Sequence, residues 1–150
     1  MKFLDANVFL RYLTRDDPVK AEACFALLQD VKRGLEQVTT CEVILHEVLY
    51  VLTSRAQYGL SHAEAVGRLR PLLTLRGLKL PRKRVYLRAL DLYASSPFLD
   101  FGDALAVAHM ENLGIQEILS YDSDFDRVES VTRSEPALRG ASRPSQDAQE

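Results

Sequence analysis

Short apolar runs alternate along this chain with longer stretches whose apolar residues recur about every 3.6 positions, so two kinds of element are expected. Residues 2–4 are too short for a helix and too apolar for a free tail, and they predict a strand. Residues 8–13 follow as a helix, for which Asn7 suits the N-cap. A second helix is predicted over 18–32: Asp16 and Asp17 precede Pro18, the stripe runs through Ala21, Phe25, Leu28 and Val31, and Gly34 closes it. Beyond it come a short strand at 37–39, a helix at 42–55 and another at 61–73 that Pro71 should break. A short strand at 77–80, helices at 83–94 and 101–112, and strands at 117–120 and 130–132 complete the pattern. Strands alternating with helices predict an α/β sandwich on a parallel sheet.

The 150 residues fit one domain, expected to end near residue 133. Residues 134–150 hold few large apolar side chains and are dense in Pro, Ser, Gly, Gln and Glu, which predicts a disordered tail. The strand signal at residue 2 leaves no room for a leader, and no stretch approaches the roughly 18 apolar residues of a membrane span. A soluble cytoplasmic protein is the expectation. Cys24 and Cys41 cannot make a disulfide framework and lack metal-ligand spacing, so buried reduced thiols are expected.

A net charge of -2 hides an asymmetry, because residues 65–90 hold eight Arg or Lys and no acid. Arg82, Lys83 and Arg84 are consecutive within it. Such a segment could hold a phosphate backbone near bound cations, or be a solvated helix face.

Four acids stand where acids are costly or useful. Asp5 falls at the end of the first strand, where open parallel sheets place ligands, although a capping role is the plainer reading. On the helix at 42–55, Glu47 shares the arc of Ile44, Val48, Val51 and Leu52, so it needs a cation, a buried arginine or an escape at the stripe's edge. Asp103 sits at the start of the stripe Ala106, Val107, Met110 and Leu113, with Asp100 as N-cap, so a capping box is its alternative. Asp122 follows the strand at 117–120 as Asp5 follows its own, and Asp124 and Asp126 come after it in what could be a solvated turn.

Four carboxylates at one end of a sheet repel unless divalent cations neutralise them. Mg²⁺ or Mn²⁺ suits all-oxygen ligands, and two such ions about 4 Å apart can activate water and stabilise the leaving oxygen in phosphodiester cleavage. His46, His62 and His109 do not group at zinc spacing and read as surface or structural histidines.

Taken in order, FLDANVFLRYLTRDDP, VILHEVLYVL, DFGDALAVAHMENLG and ILSYDSDF resemble the PIN-domain family of metal-dependent ribonucleases, most closely the VapC-type toxins of toxin-antitoxin pairs. The resemblance covers roughly residues 2–132, and its specificity lies in the ordered set of motifs. It implies a three-layer α/β/α sandwich with a central parallel sheet of four or five short strands, and RNA hydrolysis by water activated by one or two Mg²⁺ or Mn²⁺ ions. By position it makes Asp5, Glu47, Asp103 and Asp122 the catalytic metal ligands. Asp124 stands beside the fourth acid, where it would assist a second ion. Asn7 and Ser120 match supporting polar positions, Ser120 standing where the family often has Thr. Arg82, Lys83 and Arg84 are assigned to RNA binding from the basic segment. The resemblance also implies a small antitoxin partner and a homodimer, with no membrane association.

Two other readings compete. A haloacid-dehalogenase-type phosphatase also uses an Asp at the end of its first strand but needs a second acid two residues on, where this chain has Asn7. A catalytically silent domain that binds RNA or protein would keep the fold without the reaction.

Overall fold

A computed structural model describes residues 1–137. The tail predicted at 134–150 therefore lies outside the described residues apart from 134–137. In chain order the elements are β1 (Lys2–Phe3), α1 (Ala6–Thr14), α2 (Pro18–Arg33), β2 (Val38–Thr39), α3 (Glu42–Thr53), α4 (His62–Leu73), α5 (Lys83–Ser95), α6 (Phe101–Leu113), β3 (Glu117–Leu119), a 3₁₀ helix (Ser123–Arg127) and β4 (Thr132–Ser134). The mixture of helices and strands is the α/β pattern expected, except that no strand stands between α4 and α5.

Helix ends follow local chemistry. Asp17 caps α2 by accepting from the Lys20 N–H, Pro18 opens it, and Gly34, at φ 76°, ends it in the left-handed conformation glycine favours. Ser61 and Glu64 form a reciprocal capping box on α4. That helix runs through Pro71 to Leu73 instead of breaking: Pro71 forfeits the hydrogen bond to the Gly67 carbonyl, and the buried Leu69, Leu72 and Leu73 hold the last turn in place.

The strands are short and parallel. Lys2 pairs with Val38 and Phe3 with Thr39, while β3 runs beside β4 from Glu117↔Thr132 to Leu119↔Ser134. β4 thus reaches Ser134, one residue past the expected domain end. The predicted strand at 77–80 is reduced to a single parallel bridge, Leu78 to Val38, flanked by Val38 N–H to Gly77 O (2.9 Å) and Lys79 N–H to Val38 O (2.8 Å). Gly77 allows this approach: a Cβ there would collide with the carbonyls of Glu36 and Val31. Among the described residues the strands form two separate two-stranded sheets, not one continuous sheet of four or five. With two or three residues each, they offer few ladder bonds to bind one pair to the other.

Helices supply most of the packing. α5 lies between α4 and α6, and α1 packs on α2 and α3. Phe9, Leu45, Leu49, Leu52, Leu69, Leu73, Leu90 and Phe101 are fully buried in the resulting core. Phe25, expected on the buried stripe of α2, is largely exposed and stacks on Tyr12 at 6.2 Å. Both cysteines are free and half-buried, and burial pushes the Cys24 thiol pKa up. No helix among the described residues is long and apolar enough to cross a membrane.

Candidate active site

The ends of β1 and β3 each release the chain into a capped turn. At β1 the cap is Asp5 itself, not Asn7: its Oδ1 accepts from the Ala6 N–H at 2.8 Å, and α1 starts two residues earlier than expected. Asn7 lies exposed in the first turn. The strand end is pinned by Thr40, the one polar side chain counted as buried among the described residues, whose hydroxyl donates to the Leu4 carbonyl at 3.1 Å. Nothing in the sequence distinguished Thr40 from its neighbour Thr39. At β3 the Asp122 N–H donates to Ser120 Oγ (3.0 Å), and Asp122 Oδ1 accepts from the Asp124 N–H (2.9 Å), capping the 3₁₀ helix.

Helix α3 corrects the expectation for Glu47. Its buried arc is Leu45, Val48, Leu49 and Leu52, with Ile44 and Val51 only half-buried, so Glu47 lies on the outward face with Val43, His46 and Tyr50. EVILHEVLYVL is apolar almost all round, and the burial phase is set by packing on α1 and α4. Glu47 is exposed and forms no ion pair among the described residues. Neither the buried arginine partner nor the desolvated acid is found.

At the start of α6, Asp100 Oδ1 accepts from the Asp103 N–H at 2.7 Å, the N-cap expected. Asp103 is half-buried. Burial, then the carboxylates of Asp100, Asp122 and Asp124, raise its pKa above the usual carboxylate value, and His46 opposes them. α3, α6 and the turn after β3 therefore share one electrostatic neighbourhood. Its acids do not close into a coordination shell: among the described residues no three His, Cys, Asp or Glu side chains are grouped to hold a metal. The gathering of four acids expected from the sequence is thus not seen at ligating distance. Like charges repel, and the Asp5 carboxylate is turned to its own helix cap.

Of the other acids of these segments, Glu111 and Asp126 are paired with arginines, whereas Glu42 accepts from the Tyr86 hydroxyl and forms no ion pair among the described residues. Asp126 is held at 3.0 Å by Arg133, which also reaches Glu135 and the Ser120 carbonyl, and the pair holds Asp126's pKa below its usual value. Asp5, Glu47, Asp100, Asp103, Asp122 and Asp124 take part in no ion pair among the described residues.

The basic segment divides. Arg70 pairs with Asp91 at 3.2 Å, and Arg88 forms a two-pronged contact with Glu111 at 2.8 and 3.1 Å. Lys83 Nζ donates to the Leu78 carbonyl, and burial followed by Lys79 lowers its pKa, so it is less available to RNA than the sequence implied. Arg82 and Arg84 are exposed, and Arg84 lines a groove with Arg88 and Glu111. Beside the acids, a cleft of about 220 Å³ is lined by side chains that include His46, Tyr50, Thr53, His62, Tyr93 and Asp100.

The PIN domain family signature matches residues 2–131, which include every one of the unpaired acids. The chain belongs to the PIN-domain family, whose members are commonly nucleases. Among curated proteins none matches it.

Proposed function

We propose that the protein is a Mg²⁺- or Mn²⁺-dependent endoribonuclease and the toxin of a type II toxin-antitoxin pair. The observation that carries this reading is the half-buried Asp103, in no ion pair among the described residues and within electrostatic range of Asp100, Asp122 and Asp124. A hard divalent cation suits all-oxygen donors, and its charge would offset the carboxylates that add to burial in raising Asp103's pKa, once the acids close from their present spacing around it. Asp5, Glu47 and Asp103 would hold one ion, and Asp122 with Asp103 a second, Asp124 assisting. When bound, the ion supplies a water of lowered pKa and neutralises charge developing on the phosphate.

The chain's own residues do the rest. Thr40 and Ser120 hold the two strand ends from which Asp5 and Asp122 project. Arg82 and Arg84, both exposed, would attract the RNA backbone, with Lys83 a weaker contributor. A short antitoxin would cover the acidic end, and a homodimer is the expected assembly. A protein of this kind works in the cytoplasm.

A catalytically silent RNA- or protein-binding domain is the second reading, favoured by the lack of ligating convergence. Incubation of the purified protein with total RNA in Mg²⁺ or EDTA, with mapping of the cut ends, separates the two. Discrete cuts that EDTA suppresses support the nuclease, and intact RNA in both Mg²⁺ and Mn²⁺ supports the silent domain. Co-purification with a short protein encoded nearby tests the toxin assignment.

A further inference from the structure

The geometry points to a base-binding pocket: the cleft between α3, the start of α4, α5 and the N-terminus of α6 receives one unpaired nucleobase of an RNA strand whose phosphate lies at the acids. This deepens the ribonuclease reading and rests on it for the identity of the ligand.

The inner part of the cleft is aromatic and fixed. The His62 ring stacks on Tyr93 at 3.8 Å and 11°, its Nδ1 lies 3.1 Å from the Tyr93 carbonyl oxygen, and Tyr93 meets Phe101 edge-on at 6.2 Å. Tyr93 is 3% exposed, whereas Tyr50, on the outward face of α3, is 63% exposed. Such a large uncovered aromatic beside a rigid stack is what a second planar ring would use.

Size and charge choose the occupant. At about 220 Å³ the space falls below the roughly 300 Å³ at which drug-sized pockets begin, so it suits a single ring system. Asp100 on its wall, within electrostatic range of Asp103, repels a phosphate, so the base enters and the backbone stays outside. One Asp100 oxygen is taken by the Asp103 N–H, and the Thr53 hydroxyl donates to the Leu49 carbonyl at 2.8 Å. The other Asp100 oxygen can accept, which favours adenine, cytosine or guanine, whose exocyclic amines each offer two protons, over uracil with its single N3–H.

Anisotropy of labelled short single-stranded oligo-A, oligo-C and oligo-U RNA in Ca²⁺, a hard dication that neutralises the acids but activates water poorly, tests this without relying on cleavage. Wild type should bind oligo-A and oligo-C more tightly than oligo-U, Tyr50→Ala should weaken binding about tenfold, and Tyr50→Phe should restore it. Equal affinities for wild type and Tyr50→Ala, absence of binding, or Tyr50-dependent binding of a protein but not of RNA would overturn the proposal. Cleavage of the same RNAs in Mg²⁺ is read separately: none, with base-selective binding intact, sinks the nuclease reading and leaves the pocket, whereas cleavage with no Tyr50 effect on binding does the reverse.

Discussion

The outer side of α4, α5 and α6 and the acidic end formed by α3, α6 and the turn after β3 are both rich in charge, yet they handle it in opposite ways. On the first, Arg70 meets Asp91 and Arg88 meets Glu111, and the hydrogen bonds between Arg88 and Glu111 outweigh burial to leave Glu111's pKa below its usual value and Arg88's above. On the second, burial and then the carboxylates of Asp100, Asp122 and Asp124 raise Asp103's pKa. The first region matches its charges within the fold, whereas the second leaves Asp103 among like charges. α6 belongs to both regions: Asp103 near its start and Glu111 near its end differ in role because of what the neighbouring elements bring to them.

Substitutions should separate the two regions, beginning with the largest effect. Asp5→Asn and Asp103→Asn each remove ligand charge with little change of shape, and cleavage of RNA in Mg²⁺ should fall by more than the roughly 10- to 100-fold typical of outer-shell partners. Circular dichroism should show the fold retained. Next, Thr40→Val strips the Leu4 carbonyl of its buried donor, costing about 1–3 kcal/mol in urea unfolding, and should also slow cleavage because Asp5 is the next residue.

The third effect is a pH dependence. Folding raises the pKa of Asp103, so the folded chain holds a proton that the unfolded chain has released, and stability falls as pH rises through that window. Asp16, Glu42, Glu111 and Asp126, whose pKa values are lowered, act the opposite way in both proteins, so in thermal unfolding the stability of Asp103→Asn relative to wild type should rise from acidic to neutral pH. Smallest is Arg88→Ala: an exposed pair contributes about 1 kcal/mol or less, so the urea midpoint should move little and RNA cleavage not at all. A large loss of cleavage there would blur the distinction between the regions.

Much of this was legible in the sequence where the signal is local. Asp17, Pro18 and Gly34 bounded α2, Asp100 announced the start of α6, and apolar runs placed β1 and β3 just before Asp5 and Asp122. The rest depended on contacts distant in the chain. The face of α3 that carries Glu47 was ambiguous because nearly every position between Val43 and Leu52 is apolar, and only packing chose Leu45 and Leu49 over Ile44 and Val51. Asp5 and Asn7 are almost equally good caps, so their order in the chain could not decide between them. Arg133 separated Asp126 from Asp122 and Asp124, a pairing that alternate aspartates in a turn do not reveal. Gly77 and the single bridge at Leu78 likewise needed the positions of Val31 and Glu36.

Titration of the protein with Mn²⁺, followed by the electron paramagnetic resonance signal of the free ion, tests most directly whether the unmatched acids hold cations. Wild type and Arg88→Ala should each remove at least one ion per chain from solution, and Asp103→Asn should not at the same concentrations. Wild type that leaves all the Mn²⁺ free, or an Asp103→Asn protein that binds it equally well, would contradict the account.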